Sequence, residues 1–455
     1  MSDRSIEFTP GGERRPMVTA APSAPRLRMP ALRVDERRIR EFLFLATFLL
    51  SWFTASPFPN LSDPAVLLPK VGGDMLGQAA TLSLTAALAA FVYAQRSVLI
   101  WRVATLTLLL TFAAFALSAL VSDYPDVALR RLLLAAMTIF QAATLLLLPY
   151  DREHFARLLA IAAAVVLATC YFGVAFLPRL SIHQASDLAE PSLAGDWRGF
   201  FAHKNGAGAA MVLLIFIGVF VARSWKRSVG IAIVVLAAVF LKFTHSKSPI
   251  NLLPAVLALS YLLPRTRSSL AAFVLVVCTP LAINLLTIGS VMFEPVQNFV
   301  EDWMSDPTFT GRTEIWRFAI DHVAQRPWFG FGFESFWGMP DLVEKWSYAE
   351  SWGYRASDAH NAYLNLAVTT GIVGLGAALS WIILQAFCDW RRAAARAADP
   401  ALTTLFLQFW IFGLCLGGFE SVLFSGGSCV WFMIAAAIVG FRFQSIANSA
   451  GPAAC

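Results

Sequence analysis

Thr244-His245-Ser246-Lys247-Ser248-Pro249 is the stretch on which the topology of this chain turns. It interrupts an otherwise apolar run from 229 to 263. Read as a turn, it separates two short membrane spans. Read as an irregularity, it leaves one broken helix, and every later segment changes sides.

On either side of that break the chain is 58% hydrophobic and only 14% charged. Its mean hydropathy is +0.64. A soluble protein of this length would expose far more charge. Apolar runs of about 17–25 residues, the bilayer-spanning length, recur from Phe42 to Phe443. The fold class is therefore all-α, a polytopic membrane bundle of about twelve transmembrane helices. With the break read as a turn, spans are expected at 42–58, 74–95, 98–120, 129–149, 156–177, 203–222, 229–244, 249–263, 269–290, 361–386, 403–420 and 426–443.

Charge tests that choice. Basic residues favour the cytoplasmic side of a membrane protein. With twelve spans and both termini inside, most of the 35 Lys and Arg fall on inside segments, including Arg391, Arg392 and Arg396. A single broken helix would put those three outside. Residues 1–38, with Pro, Gly and Arg and no apolar run, read as a disordered cytoplasmic tail, and 444–455 as a second tail. The body is 39–443, with one large outside loop at 291–359. The six Cys are scattered without a CxxC pair and read as small core residues. The net charge of +6 follows the inside segments and does not call for nucleic acid.

The outside segments carry the candidate chemistry. Arg198 precedes His203-Lys204 at the start of the sixth span. A helix start with added cations suits a diphosphate, although contact with lipid headgroups explains the same residues. Arg312 opens a helix-like stretch, 312–325, whose Trp316, Ile320 and Val323 form one face, on the membrane surface or capping the bundle. A cation there opposes the helix dipole, so an anion is expected beside it, either a ligand or Glu314 or Asp302. Lys247 is a third basic candidate, for which snorkelling is the simpler explanation. His360 begins the tenth span with Asp358 or Ser357 as its cap, and Asn361 and Asn365 share a face. Histidine can act as a base near neutral pH. Gly371 and Gly374 suit close helix packing. The acidic 291–359 loop holds six of the fourteen Trp, at 303, 316, 328, 337, 346 and 352. No acidic pair marks a metal site there, and no phosphate-binding glycine signature is present.

These motifs resemble the O-antigen ligase and polysaccharide polymerase superfamily. His360-Asn361, nine residues, then Gly371-Ile372-Val373-Gly374 matches the ligase pattern. The 199–206 segment with His203-Lys204-Asn205, Gly311-Arg312-Thr313-Glu314-Ile315-Trp316 and Pro327-Trp328-Phe329-Gly330-Phe331-Gly332 resemble other parts of the family. Within it, the wording is most similar to exopolysaccharide production proteins. The resemblance implies a GT-C-type integral-membrane glycosyltransferase of the bacterial inner membrane, with cytoplasmic termini and a periplasmic site. It would act on undecaprenyl-diphosphate-linked oligosaccharide by direct displacement with inversion, and need neither cofactor nor metal. A chain-length regulator is expected as a partner from the resemblance alone.

In such a transferase Arg198, His203, Lys204, Lys247 and Arg312 would hold the diphosphate. His360 would position or deprotonate the acceptor hydroxyl, and Asn361, Trp316, Trp328 and Trp337 would contact acceptor or sugar. An exopolysaccharide polymerase is the first expectation and an O-antigen ligase acting on lipid A core the second. A transporter of lipid-linked oligosaccharide is the alternative of another class. Transporters place polar groups near mid-membrane, whereas these cluster at the outer rim.

Overall fold

The computed structural model describes residues 34–53, 56–64, 75–188, 190–304, 306–339, 356–396 and 398–446. The chain divides between Ile39 and Arg40. Of the first unit only 34–39, the opening of the first helix, is described. The second unit carries the bundle and the site. Trp346 and Trp352 lie outside the described residues, as does most of both expected tails.

Among the described residues the regular structure is helical, with no strand. The long helices are α1 (Val34–Trp52), α2 (Met75–Ala94), α3 (Leu106–Leu120), α4 (Pro125–Leu145), α5 (Arg152–Phe176), α7 (Lys204–Ser224), α8 (Arg227–Thr244), α9 (Lys247–Leu262) and α10 (Ser269–Leu286). After them come α14 (Ala362–Leu379), followed by the short α15 (Ala386–Ala395), and then α16 (Pro400–Leu416) and α17 (Cys429–Ile446). Shorter helices are α6 (Pro178–Ser181), α11 (Ile288–Met292), α12 (Glu294–Trp303) and α13 (Arg312–Gln325). Apolar runs become helices because a backbone in lipid must satisfy its own hydrogen bonds.

A helix lies over each of the twelve expected spans, but among the described residues eight are long and apolar enough to cross a membrane by length and composition. The difference has local causes. The run from 98 is split, with a 3-10 helix at Val98–Val103 before α3. Helices α9 and α16 have 16 and 17 residues. Helix α1 starts at Val34, ahead of its apolar run, through a charged turn of good helix formers.

The chain reverses between α8 and α9 at His245, whose φ is 47°. These are two helices, not one broken helix. The basic residues assigned to the inside cluster accordingly. Arg152 pairs with Asp399 at 3.0 Å and Arg157 with Glu41 at 2.7 Å. Arg391 donates to Ser269 Oγ and Arg442 to the Arg102 carbonyl. These contacts join one end of the bundle. The residues singled out as chemical candidates gather around the opposite ends of α7, α8 and α14.

That opposite end carries a second apolar core. Ile315, Trp316, Phe318 and Ala319 of α13 are buried with Phe336, Trp337, Ala356, Ala359, Leu364 and Val368. Helix α13 therefore caps the bundle, and its buried face centres on 315, 316, 319 and 322 rather than 316, 320 and 323. The surface-like helix is α12, which exposes Phe299 and Trp303.

Candidate functional site

Arg312, His360 and Asn205 come from the N-terminal ends of α13, α14 and α7, and all three meet at Glu420. Glu420 lies in the loop between α16 and α17. Its Oε1 accepts from Arg312 at 2.8 Å and from Asn205 Nδ2 at 2.9 Å. Its Oε2 lies 3.3 Å from His360 Nδ1. A second arm of Arg312 donates to the Phe419 carbonyl. Ser246, just before α9, donates to Asn205 Oδ1 at 2.9 Å. Helix starts present free N–H groups and positive dipole ends. A carboxylate is therefore well placed where several converge. Glu420 is the anion that Arg312 calls for; neither Glu314 nor Asp302 takes that part.

The electrostatics follow from this geometry. Burial pushes the Glu420 carboxyl up, but the Arg312 charge and the hydrogen bonds from His360 and Arg312 outweigh it and hold it at about 2. Burial pulls the His360 imidazole down, and the Asp358 and Glu420 carboxylates overcome it, so the net direction is up. His360 thus favours its protonated form, bound to Glu420 and facing Asp358 Oδ1 at 3.9 Å. The Arg312, Glu420 and His360 side chains remain 15%, 19% and 32% exposed. A ligand can therefore reach them.

A second polar group adjoins the first. Lys204 Nζ and His245 Nδ1 both lie 2.6 Å from Asp196. His203 Nδ1 caps α7 by accepting from the Asn205 N–H, while its Nε2 pairs with Glu190 at 2.8 Å. The hydrogen bond from His203 lowers the Glu190 carboxyl, with His183 and His360 adding to the effect against burial. Asn205 ties the two groups together, with its N–H on His203 Nδ1 and its amide on Glu420. His183 is buried against Asp187 at 3.0 Å. No cluster of metal-ligating residues is found among the described residues.

The candidates separate into those the fold gathers and those it does not. Arg312, His360, His203 and Lys204 share this surface. Arg198 does not face it: its side chain is fully buried, and its two terminal nitrogens donate to the Phe201 and Pro59 carbonyls. It joins two loop segments from within, and its Nε is buried without a hydrogen-bond partner among the described residues. Lys247 is exposed and makes no ion pair among the described residues.

Asn361, not Asp358 or Ser357, caps α14, accepting from the Tyr363 and Leu364 N–H groups. Its Nδ2 donates to Asn284 and to the Gly418 carbonyl. A fully buried amide with these four bonds has no valence left for an acceptor sugar. It fixes the backbone beside His360, and Asp358 accepts from the His360 N–H at 2.7 Å.

Trp316 and Trp337 are buried in the second core, so their faces are closed to sugars. Trp316 donates to the Ala359 carbonyl and Trp337 to Asn365 Oδ1. Both hold the loop that presents His360. Trp328 is 62% exposed and keeps an open face.

Glu420 is the site residue that sequence reasoning misses, because it closes an expected apolar span. Its signal is a physical one: a lone carboxylate at the end of such a run is costly unless paired. Asp196 and Glu190 carry no such mark, since both stand in a polar loop.

The family model described as O-antigen ligase matches residues 232–379, from α8 through α14. That segment holds Arg312 and the His360 motif but not Glu420. The exopolysaccharide production protein ExoQ of Rhizobium meliloti (strain 1021) is 25% identical over 223 residues. That alignment covers 46% of this chain and 50% of the relative, so the chain spans half the length of the curated protein it matches. The segment that bears Arg312 and His360 is thus similar to the O-antigen ligase family.

Proposed function

We propose that this protein is an exopolysaccharide polymerase. It would move a glycan from a polyprenyl diphosphate, undecaprenyl diphosphate in bacteria, to the non-reducing end of a second lipid-linked repeat unit. The observation that carries the reading is the meeting of Arg312, His360 and three helix N-termini at Glu420. Such a place stabilises negative charge as it develops on a departing diphosphate. Arg312 and protonated His360 would bear on that oxygen as the anomeric carbon transfers. Lys204 and His203 would extend the same surface along the diphosphate. Glu420 holds both cations in place before the donor arrives. Direct displacement of this kind inverts the anomeric centre, and its leaving group needs no nucleotide. The site would face the periplasm across the inner membrane, with the Arg-rich opposite end in the cytoplasm, as the positive-inside rule favours.

An O-antigen ligase is the second reading. It is supported by the family description and by the complete His360-Asn361 to Gly371-Gly374 pattern. The lipid-linked glycan pool of a strain lacking this protein, weighed by mass spectrometry, separates the two. Accumulated single repeat units support the polymerase, and accumulated lipid-linked polymer supports the ligase. An unchanged pool counts against both. Complementation with Arg312→Ala or His360→Ala is expected to leave the pool blocked while protein level stays normal. Near-normal polymer in either variant removes that residue from the site.

A further inference from the structure

Beyond the Glu420 site, one partly buried carboxylate has no part in the chemistry so far. The turn after α13 lies against α14, with the Phe331 and Gly332 N–H groups donating to the Val368 and Thr369 carbonyls. Glu334 stands in this turn and is held from several sides. Arg131 of α4 donates to its carbonyl, and Ser122 bonds to Phe331 and Ser335 on either side. The Trp337 indole donates to Asn365 Oδ1 at 2.7 Å, which turns the Asn365 amide so that Nδ2 donates to Glu334 Oε1 at 3.1 Å. Trp337 and Asn365 are buried, whereas Glu334 is only partly covered. Its Oε2 has no hydrogen-bond partner among the described residues.

The backbone adds a second observation. Glu334 has φ 55°, and the turn's other left-handed positions, 330, 332 and 338, are all glycine. Holding a longer side chain in that region strains the backbone. Glycine would relieve it, so the carboxylate is kept at an energetic cost.

We propose that Glu334 is a catalytic base, taking the proton of the acceptor hydroxyl on its free Oε2. The inference rests on the transferase reading above. The acceptor O–H gives its proton to Glu334, and its oxygen forms the bond to the donor's anomeric carbon. The bond from that carbon to the lipid diphosphate breaks, and the electron pair leaves with the diphosphate, whose charge meets Arg312 and His360. Glu334 then returns its proton to water, and the step balances.

The surroundings suit this role. Burial raises the Glu334 carboxyl to about 7, with Asp358 adding to the rise and Arg131 and Asn365 opposing it. A base works best when its proton affinity lies near the working pH. Glu420, at about 2, is too weak a base, and His360 Nδ1 already faces two carboxylates, Glu420 at 3.3 Å and Asp358 at 3.9 Å. Asn365, which binds Glu334, donates its N–H to the carbonyl of Asn361, the residue after His360, so this carboxylate lies one helical turn along α14 from the cationic site.

The test uses the full protein in nanodiscs, with lipid-linked repeat units extracted from a strain lacking it. Elongation is measured from acid to alkaline pH for the wild type, Glu334→Gln and Glu334→Asp, together with donor binding and melting temperature. The wild-type rate should climb about tenfold per pH unit below about 7 and then level off. Glu334→Gln should lose about 10²–10⁴ in rate and the acid limb with it, yet bind donor and melt no lower. Glu334→Asp, which keeps a carboxylate, should recover part of the rate. A Gln variant within a few-fold of wild type with the same acid limb overturns the base and leaves the transferase reading standing. So does a Gln variant whose loss follows donor binding or melting. A wild type that elongates nothing takes down both.

Discussion

Arg312 donates to Glu420 Oε1 at 2.8 Å across 108 positions of chain. Without Glu420, Arg312 and His360 would be two cations at helix N-termini, where the dipole repels them. Glu420→Gln keeps the shape and removes the charge. Transfer is expected to fall by about 10²–10³, the scale seen when a group that stabilises developing negative charge is lost. His360 should also titrate at lower pH, because one of the carboxylates that raises it is gone. Activity assays and a histidine NMR titration check the two parts. An unchanged histidine with lost activity would assign Glu420 a role apart from His360.

Stability should depend on pH with opposite signs at different residues. His360 is raised above 6.5 by folding, so its contribution is present below 6.5 and lost as pH rises through the higher value. Glu420 is depressed from 4.5 to about 2, so its contribution is present above 4.5 and lost as pH falls toward 2. Glu334 is raised from 4.5 to about 7, so the fold loses stability as pH climbs across that window. Melting of the protein in nanodiscs should therefore fall from pH 4.5 through 7. Glu334→Gln should flatten that fall and melt higher at pH 8. A Gln variant that melts lower at pH 8 would show that the ionised carboxylate is well solvated or better paired than its burial implies.

Legible and illegible parts of the chain divide by physics. Long apolar runs fix helices because lipid leaves the backbone no other partner, and each expected span has its helix. Arg312 and His360 are visible because a cation at a helix start and a histidine at a membrane rim both demand explanation. Glu420 is hidden by proximity to an apolar run, and its partners lie 60 and 108 positions away. Trp316 and Trp337 look like sugar contacts in the sequence and are not, because a Trp-rich polar loop can equally build its own core. Spacing does not tell an open ring from a packed one. The same holds for Arg198, whose acceptors are backbone carbonyls.

Arg198 and Lys247, both basic and both expected at the diphosphate, should behave differently. Arg198 is fully buried and bonds to two carbonyls. Arg198→Ala leaves those acceptors unpaired, at about 1–3 kcal/mol for each buried group. Protein level and melting temperature should fall. Lys247→Ala changes an exposed side chain without an ion pair among the described residues, and should alter stability by no more than about 0.5 kcal/mol. Its polymer yield should match wild type. Membrane immunoblots and polymer assays on the two variants check this. A stable Arg198→Ala protein with lost donor binding would return Arg198 to the substrate site.

Gly371 should be the least replaceable position of the His360 motif. It breaks α14 with φ 66° and ψ −175°, and the turn after α13 packs into the break. Ile372 N–H donates to the Pro327 carbonyl there and Val373 N–H to that of Trp328. A Cβ on Gly371 would sit 2.2 Å from the Trp328 carbonyl oxygen and 2.5 Å from the Phe329 nitrogen, both backbone atoms with no room to swing away. Sequence spacing suggests close helix packing for this glycine; the structure uses it to seat the turn that carries Glu334. Gly371→Ala therefore combines left-handed strain of about 1–3 kcal/mol with a backbone clash. It should lower melting and protein level together, and weaken transfer in whatever protein survives. Gly376, around which a Cβ would meet nothing within 4 Å, supplies the control, since Gly376→Ala should leave level and activity intact. If Gly371→Ala accumulates and melts like wild type, the turn is not held by that break, and the placement of Glu334 beside α14 loses its main support.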